Sequence, residues 1–389
     1  MADGTPIGVV DPDLQRYIAT RMVMDADLVC RAREDPNVYV EACGRIEAGQ
    51  WVGRPPGAHR MMQDHLTRAS NNGGASTALV LMPVGHAKTT TARWRIEWEI
   101  GRNVNLRVLM MSATSQLPEG VLSGIKGDIT DNPFTQAVFP HLRPGRKMGQ
   151  SDWSSDRIHV HRSDNLSDPT IQCAGLTTKI LGKRLDLIYL DDMLNTDNTL
   201  TPYMRKQVSD KVQSEVMSRR VPHLPSRAWL TGHVWTEDDL VSTMMRQIGA
   251  YKMRLGARVQ RHKSGRIITS ADPEWSETLD WCPLLPGLFT KARLEARYRE
   301  LGYSVAGVSD YQRVAAHHGI EGAQVQVFRS GTDWTQRTRL IALELDDWLM
   351  PWKGTSRPFF SALAPQPYDY LIGGEAIFCF RDPKQTPAG

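Results

Sequence analysis

The sequence predicts an α/β fold, with a mostly parallel central sheet flanked by helices and a less regular C-terminal region. Three observations predict it. Short apolar runs at Thr77–Met82, Arg107–Met111, Leu187–Leu190 and Arg227–Leu230 read as strands buried on both faces, as parallel strands are. Helical periodicity alternates with them, most clearly over Ala92–Ile100. The first of these strands runs into a turn of small residues that closes on Lys88-Thr89-Thr90, and the third ends in Asp191-Asp192.

The chain of 389 residues is 41% hydrophobic and 23% charged, enough for two or three domains and too apolar for a disordered chain. No apolar run approaches the ~18 residues of a membrane span, so no membrane partner is expected. The opening MADGTPIGVVDPDLQ lacks the basic and apolar regions of a secretory signal. Cysteines 30, 43, 173, 282 and 379 are odd in number and contain no CxxC pair, which argues for reduced thiols in a cytoplasmic setting and against a zinc site.

Taken in order, residues 1–54 read as an N-terminal helical segment, because Leu14, Ile18, Met22 and Val29 recur at near-helical spacing among charges. Trp51–Arg60 is rich in proline and glycine and reads as a linker. Residues 55–250 carry the alternating strands and helices. Residues 251–389 loosen into scattered tryptophan, proline and glycine, without repeat or low complexity.

The strand Ala78–Met82 leads into Pro83-Val84-Gly85-His86-Ala87-Lys88-Thr89-Thr90 and then a helix. A strand end, a tight turn whose N–H groups face inward and a helix N-terminus together cradle phosphates. The lysine reaches the terminal phosphates and the next hydroxyl binds Mg²⁺. The match to GxxxxGK[ST] is incomplete, with Met82 and Ala87 in the two glycine places. Leu187–Leu190 followed by Asp191-Asp192 supplies a second half: one aspartate to hold Mg²⁺ and the next to polarise an attacking water. Two carboxylates in one cleft raise one pKa, and a cation and Lys88 rationalise them jointly. ATP and Mg²⁺ are therefore the expected ligands. The purely structural reading is a lysine opening an amphipathic helix and aspartates capping after a buried strand.

A third strand ends at Trp229-Leu230-Thr231-Gly232-His233, a polar turn suited to sensing the γ-phosphate. Glu237-Asp238-Asp239 follow, expected as the acidic first turn of a helix capped by Thr236 rather than as a metal site. Leu240–Ala271 contains no acidic residue but holds Arg246, Lys252, Arg254, Arg258, Arg261, Lys263 and Arg266. On a chain of net charge +4 this local basic stretch fits DNA phosphate contact, or a solvated hairpin turning at His262–Gly265. Trp94 and Trp98 are expected in the core. His159-x-His161 on one strand face and the adjacent His317-His318 lack a second ligand pair, so no metal is expected there.

These elements, in this order, resemble the ATPase domain of tailed-phage terminase large subunits, the DNA-packaging motors. The phosphate loop of that family, P-x-G-x-A/G-K-T/S, matches Pro83–Thr89. Its serine-bearing turn after a strand matches Arg107–Thr114, its acidic strand matches Gly182–Asp192, and its coupling segment matches Gly232–Leu240. The resemblance covers residues ~55 to ~250 and implies a P-loop NTPase fold and Mg-dependent, DNA-stimulated ATP hydrolysis driving double-stranded DNA into a procapsid. It implies that Pro83 to Thr90 bind nucleotide, Lys88 and Asp192 are catalytic, and Thr89 and Asp191 hold the metal. Many family members have glutamate where Asp192 stands. Implied partners are the terminase small subunit, the portal protein and further copies in a ring, in the host cytoplasm and transiently at the portal. An arginine finger is expected among Arg157, Arg162 and Arg184. The family's nuclease is not legible: Asp346-Asp347 follows a helix-like run, and Asp310, Asp369, Glu375 and Asp382 stand alone in loops. Two alternatives remain at this point, a non-catalytic nucleotide-binding assembly protein and a helicase-like DNA-dependent ATPase. Ser112-Ala113-Thr114 spells a helicase triplet, although it precedes the acidic strand here.

Overall fold

The computed structural model describes residues 12–48, 57–71, 73–83, 85–145, 153–180, 182–221, 225–232, 238–261, 267–269, 280–286, 289–300, 368–373 and 376–381. In chain order, α1 (Pro12–Val23), α2 (Ala26–Glu34), α3 (Pro36–Ala48) and α4 (Ala58–Ser70) precede β1 (Ser76–Leu81) and α5 (Lys88–Arg102). Then come β2 (Val108–Met111), α6 (Gln116–Asp131), α7 (Pro133–Val138), β3 (Arg157–Ile158), β4 (Ile171–Ala174) and β5 (Leu187–Asp191). Helices α8 (Thr196–Thr199) and α9 (Pro202–Asp210), a π-helical stretch Lys211–Val216, β6 (Arg227–Gly232) and α10 (Leu240–Arg246) follow. The chain continues through β7 (Tyr251–Arg254), β8 (Arg258–Arg261), β9 (Ile267–Thr269), β10 (Cys282–Pro283), α11 (Lys291–Glu300), β11 (Tyr368–Gly373) and β12 (Ala376–Arg381). Two compact units form: residues Met1–Val80, Ala87–Met193 and Asp210–Thr231 in one, and Leu81–His86, Leu194–Ser209 and Gly232–Gly389 in the other.

The first unit is α/β, with a mostly parallel mixed sheet flanked by helices. Six strands run in the order β3-β4-β2-β5-β6-β1. Strand β2 pairs in parallel with β4 and β5, and β5 in parallel with β6. The short β3 is antiparallel to β4. Every residue of β2 and β5 is buried, which is why both read as unbroken apolar runs rather than alternating ones. One strand, β6, lies between the acidic strand and β1. Arg107, one residue before β2, holds the start of β5: its guanidinium grips Asp186 through two bonds of 2.8 Å, and its backbone N–H donates to the same carboxylate at 2.9 Å.

Helix α5 packs between α3 and α6 and buries Trp94, Ile96 and Ile100. Charge is buried on it as well. The Arg95 guanidinium donates to Glu99 at 3.0 Å, to the Gln63 carbonyl at 3.2 Å and to Thr67 at 3.0 Å, and it lies over the rings of Trp98 and Trp229. Arg227 donates to Glu99 at 2.6 Å. Burial pushes the Glu99 carboxyl up, but Arg95 and Arg227 more than offset this and hold it below its ordinary range.

The N-terminal helices belong to the same unit. Arg33 donates to the carbonyls of Val138 and Ala137, the Trp98 indole to Ala32, and Arg102 to Glu34. The Tyr39 ring packs on Phe134 and Phe139. Three differences from expectation stand out in this unit. The region 11–48 is divided into three helices, at Met24-Asp25 and Asp35. Helix α4 begins at Ala58, inside the expected linker, with His59, Met62 and Leu66 buried. Helix α5 starts at Lys88, four residues before its apolar periodicity is visible, because its first turn is polar.

In the second unit, β10-β8-β9 form an antiparallel sheet with Val259 opposite Cys282 and Arg261 opposite Ile267. The last pair flanks the expected turn at His262–Gly265, which lies outside the described residues. Between β7 and β8, at Leu255-Gly256-Ala257, the Leu255 N–H donates to the Leu81 carbonyl at 2.9 Å. Arg258, counted in the basic stretch, is buried with its guanidinium over the Trp281 ring, so it is not available to a phosphate. Arg246 and Lys252 are exposed. Strands β11 and β12 pair antiparallel, and Asp369 lies in β11 rather than in a loop. Asp310, His317-His318, Asp346-Asp347, Glu375 and Asp382 lie outside the described residues. No helix among the described residues is long and apolar enough to cross a membrane.

Candidate active site

The turn between β1 and α5 is built from unfavourable local choices. Its backbone passes through the left-handed region at Gly85 (φ 78) and again at Ala87 (φ 55, ψ 28). Glycine accepts this without strain, whereas for an alanine it costs about 1–2 kcal/mol. Ala87 is also the N-cap of α5 and makes no side-chain cap, forgoing about 1 kcal/mol that Ser, Thr, Asp or Asn would supply. The first turn contains no acid, and Lys88 sets a cation at the positive end of the helix dipole, a further cost of about 0.3–1 kcal/mol. Such choices on two consecutive residues favour an anion arriving at this helix end, and strain of this kind clusters at functional sites.

Lys88 is 5% exposed, and its Nζ lies 3.4 Å from Oδ1 of Asp192. Thr89 Oγ1 donates to Asp191 Oδ2 at 2.6 Å. The Thr231 hydroxyl donates to the other oxygen of Asp191, and the Tyr189 hydroxyl in turn donates to Thr231 at 2.9 Å. Both oxygens of Asp191 thus accept a hydroxyl. Burial, then the neighbouring Asp192 charge, push the Asp191 carboxyl up to about 6, while Lys88, Thr231 and Thr89 pull it back.

Asp192 turns out of the strand through the left-handed region (φ 41), a conformation in which Asp and Asn are the commonest residues after glycine. Its N–H donates to the Thr231 carbonyl at 3.1 Å, and its carbonyl receives the Ala113 N–H at 3.4 Å. The Leu176 N–H reaches the Ala113 carbonyl at 3.4 Å. A Cβ on Gly175 would stand 2.9 Å from the Ser115 nitrogen, so this residue has to be glycine for the two turns to touch. The carboxyl ends of β4, β2, β5 and β6 therefore meet at Asp192, where open α/β sheets hold their ligands.

Within the first unit, then, Ala87, Lys88, Thr89, Asp191 and Asp192 come together, with Thr90 beside them. Thr89 and Thr90 also line a cavity of about 480 Å³ between α5 and α6, whose other wall includes Gln116, Leu117 and Val121. Pro83, Gly85 and His86 belong to the second unit, and Val84 lies outside the described residues. Thr89 Oγ1 and Asp191 Oδ2 are adjacent hard oxygen donors, the type and number with which proteins hold Mg²⁺ while water completes its shell. No group of three or more His, Cys, Asp or Glu among the described residues is arranged to hold a metal.

Several expected residues take other roles. Asp239 is itself the cap of α10, accepting the Ser242 N–H at 2.7 Å, so the helix begins three residues beyond the expected Thr236. Asp238 binds Arg205 through two bonds. Residues 233–237, which include Thr236 and Glu237, lie outside the described residues. His159 is buried and His161 exposed, so they do not share a face. Of the finger candidates, Arg162 is committed to structure: its guanidinium is bound by the carbonyls of Val104, Leu106 and Asp168, and burial lowers its pKa to about 10. Arg157 pairs with Asp156 on the surface, and Arg184 is exposed. Sequence reasoning missed Tyr189, whose one trace is a hydroxyl-bearing ring in an otherwise apolar strand, and it missed the left-handed turn at Asp192.

No protein-family model matches the chain, and no curated protein matches it significantly.

Proposed function

We propose that the chain is a P-loop ATPase and acts as the motor subunit that moves double-stranded DNA into a viral procapsid, in the manner of a tailed-phage terminase large subunit. The observation that carries the ATPase reading is the buried Lys88 at the start of α5, held against Asp191-Asp192 at the carboxyl ends of β5 and β6. Lys88 would offset charge on the terminal phosphates, and the N-terminal N–H groups of α5 would receive their oxygens. Asp192, 3.4 Å from that ammonium and half-buried, would orient the water that attacks the γ-phosphorus and accept its proton as the β–γ bridging bond breaks. Thr89 and Asp191 would hold Mg²⁺, which when bound withdraws charge from the phosphate oxygens. Thr231, bonded to Asp191 and placed at the end of β6, is suited to registering loss of the γ-phosphate.

The motor assignment rests on the resemblance of the ordered motifs, with Arg246 and Lys252 as exposed cations on the second unit. Its partners would be double-stranded DNA, the small subunit, the portal and further copies in a ring that supplies the arginine finger, in the host cytoplasm. The test is ATP turnover with and without linear double-stranded DNA, for the wild type and Lys88→Ala. Magnesium-dependent turnover that falls at least a hundredfold in the variant and rises with DNA is expected. Nucleotide binding without turnover at any protein or DNA concentration would overturn the motor reading.

A further inference from the structure

The residues after 250 carry no function legible in the sequence, yet one of them touches the turn before Lys88. The Phe289 ring stacks on the His86 ring, with centroids 4.8 Å apart and planes 24° from parallel. Its edge also approaches the exposed Gly85: a Cβ built there would lie 3.7 Å from Phe289 Cζ. Gly85 is the left-handed residue of the turn, and His86 is 1% exposed. Phe289 is itself held firmly. Its N–H donates to the Leu285 carbonyl at 2.8 Å, Leu284 and Leu285 are buried, and the Leu284 N–H donates to the Ala257 carbonyl at 2.8 Å. A second tether, from the Leu255 N–H to the Leu81 carbonyl, fixes the strand end on the other side of the turn. All these residues belong to the second unit.

We infer that Phe289 is a positioning residue for the phosphate-binding turn, holding Gly85 and His86 in the conformation that presents the following Ala87-Lys88-Thr89. A turn that spends part of its time elsewhere binds phosphate more weakly by the fraction of that time, so a ring that pins it raises affinity without touching the ligand. The inference rests on the ATPase reading for its ligand, but not for its conformational claim.

The test has two readouts on the full chain. Amide hydrogen exchange of residues 81–91 without ligand should speed up about tenfold in Phe289→Ala, the upper range for one aromatic stack, and stay near wild type in Phe289→Tyr. Titration with magnesium tripolyphosphate and with magnesium ATP should show both binding about tenfold more weakly in Phe289→Ala, with Phe289→Tyr restoring both. Unchanged exchange in Phe289→Ala overturns the inference, whatever the ligand result. Loss of ATP affinity with tripolyphosphate affinity intact also overturns it, since the ring would then be touching the base. If the wild type binds neither compound while exchange still depends on Phe289, the ATPase reading fails and the pinning of the turn stands. Phe289→Leu, which keeps apolar volume without a stack, covers the case in which the alanine variant does not fold; exchange as slow as wild type in it would overturn the stacking argument.

Discussion

Asp191→Asn should make the ligand-free protein more stable at neutral pH while abolishing its activity. Asp191 ionises at about 6 in the folded chain and near 3.8 unfolded. Between those values the folded state binds more protons than the unfolded state, so stability falls as pH rises through the window. A shift of about two units corresponds to roughly 3 kcal/mol of penalty, fully present above pH ~7 and absent only below pH ~3. Asparagine does not ionise and removes that penalty. It offers one acceptor oxygen where Asp191 offers two, so Thr89 or Thr231 loses a partner at a cost of about 1 kcal/mol. The variant should therefore be more stable than the wild type by about 2 kcal/mol at pH 7.5 and less stable by about 0.5 kcal/mol at pH 4. Groups away from the site are common to both proteins and cancel in the difference, whereas Asp192 and Lys88 face Asp191 and respond to loss of its charge. Native-state hydrogen exchange of β5 and β6, read from pH 4 to 7.5, follows this unit without requiring the whole chain to unfold in one step. A variant-minus-wild-type difference that stays constant across this range, or a variant less stable throughout, would refute the reasoning.

Other outcomes follow from the same contacts. Thr231→Val removes a hydroxyl that lowers the Asp191 pKa, so the acid limb of the kcat/KM profile for ATP should move to higher pH, as a pH–rate series would show. Arg107→Ala leaves the buried Asp186 without its partner and should lower the unfolding free energy of the first unit by about 3 kcal/mol, measured by urea denaturation, with Arg107→Lys losing less. Gly175→Ala sets a methyl 2.9 Å from a backbone nitrogen that has no room to give; it should cost about 1–3 kcal/mol in a thermal melt and reduce ATP turnover by displacing the Ser112–Ser115 turn.

The strands were legible because parallel strands buried on both faces concentrate apolar residues in runs no other element needs. Leu187–Asp191 is the clearest case. The candidate site was legible at Asp191 and Asp192 because a polar residue closing such a run stands at the strand's carboxyl end, and at Lys88 and Thr89 because a turn of small residues leads from the first strand into a helix. What stayed hidden depends on partners distant in sequence. Tyr189 looks like core until Thr231, 42 residues on, is placed beside its hydroxyl. Asp186 looks like an exposed acid until Arg107 closes on it from a neighbouring strand. Arg258 reads as part of a basic surface although it lies under Trp281. The start of α5 at Lys88 was legible from the turn before it rather than from periodicity, because its first turn is polar. Helix α4 was missed because the glycines and prolines of the expected linker run up to its first residue.

The cover that α1–α3 lay over α5 and α7 bears on how the first unit can be trimmed. A fragment beginning at the proline- and glycine-rich stretch would discard Ala32, Glu34 and Tyr39, the partners of Trp98, Arg102 and Phe134. It would also strip Glu47 from Arg93 and open the buried Glu97 beneath it to water. Because α5 carries Lys88 at its other end, the damage would be felt at the site rather than only at the cut. The smallest autonomous version of this α/β unit therefore retains the three N-terminal helices, and comparisons of domain architecture that treat them as an optional extension would misplace its boundary.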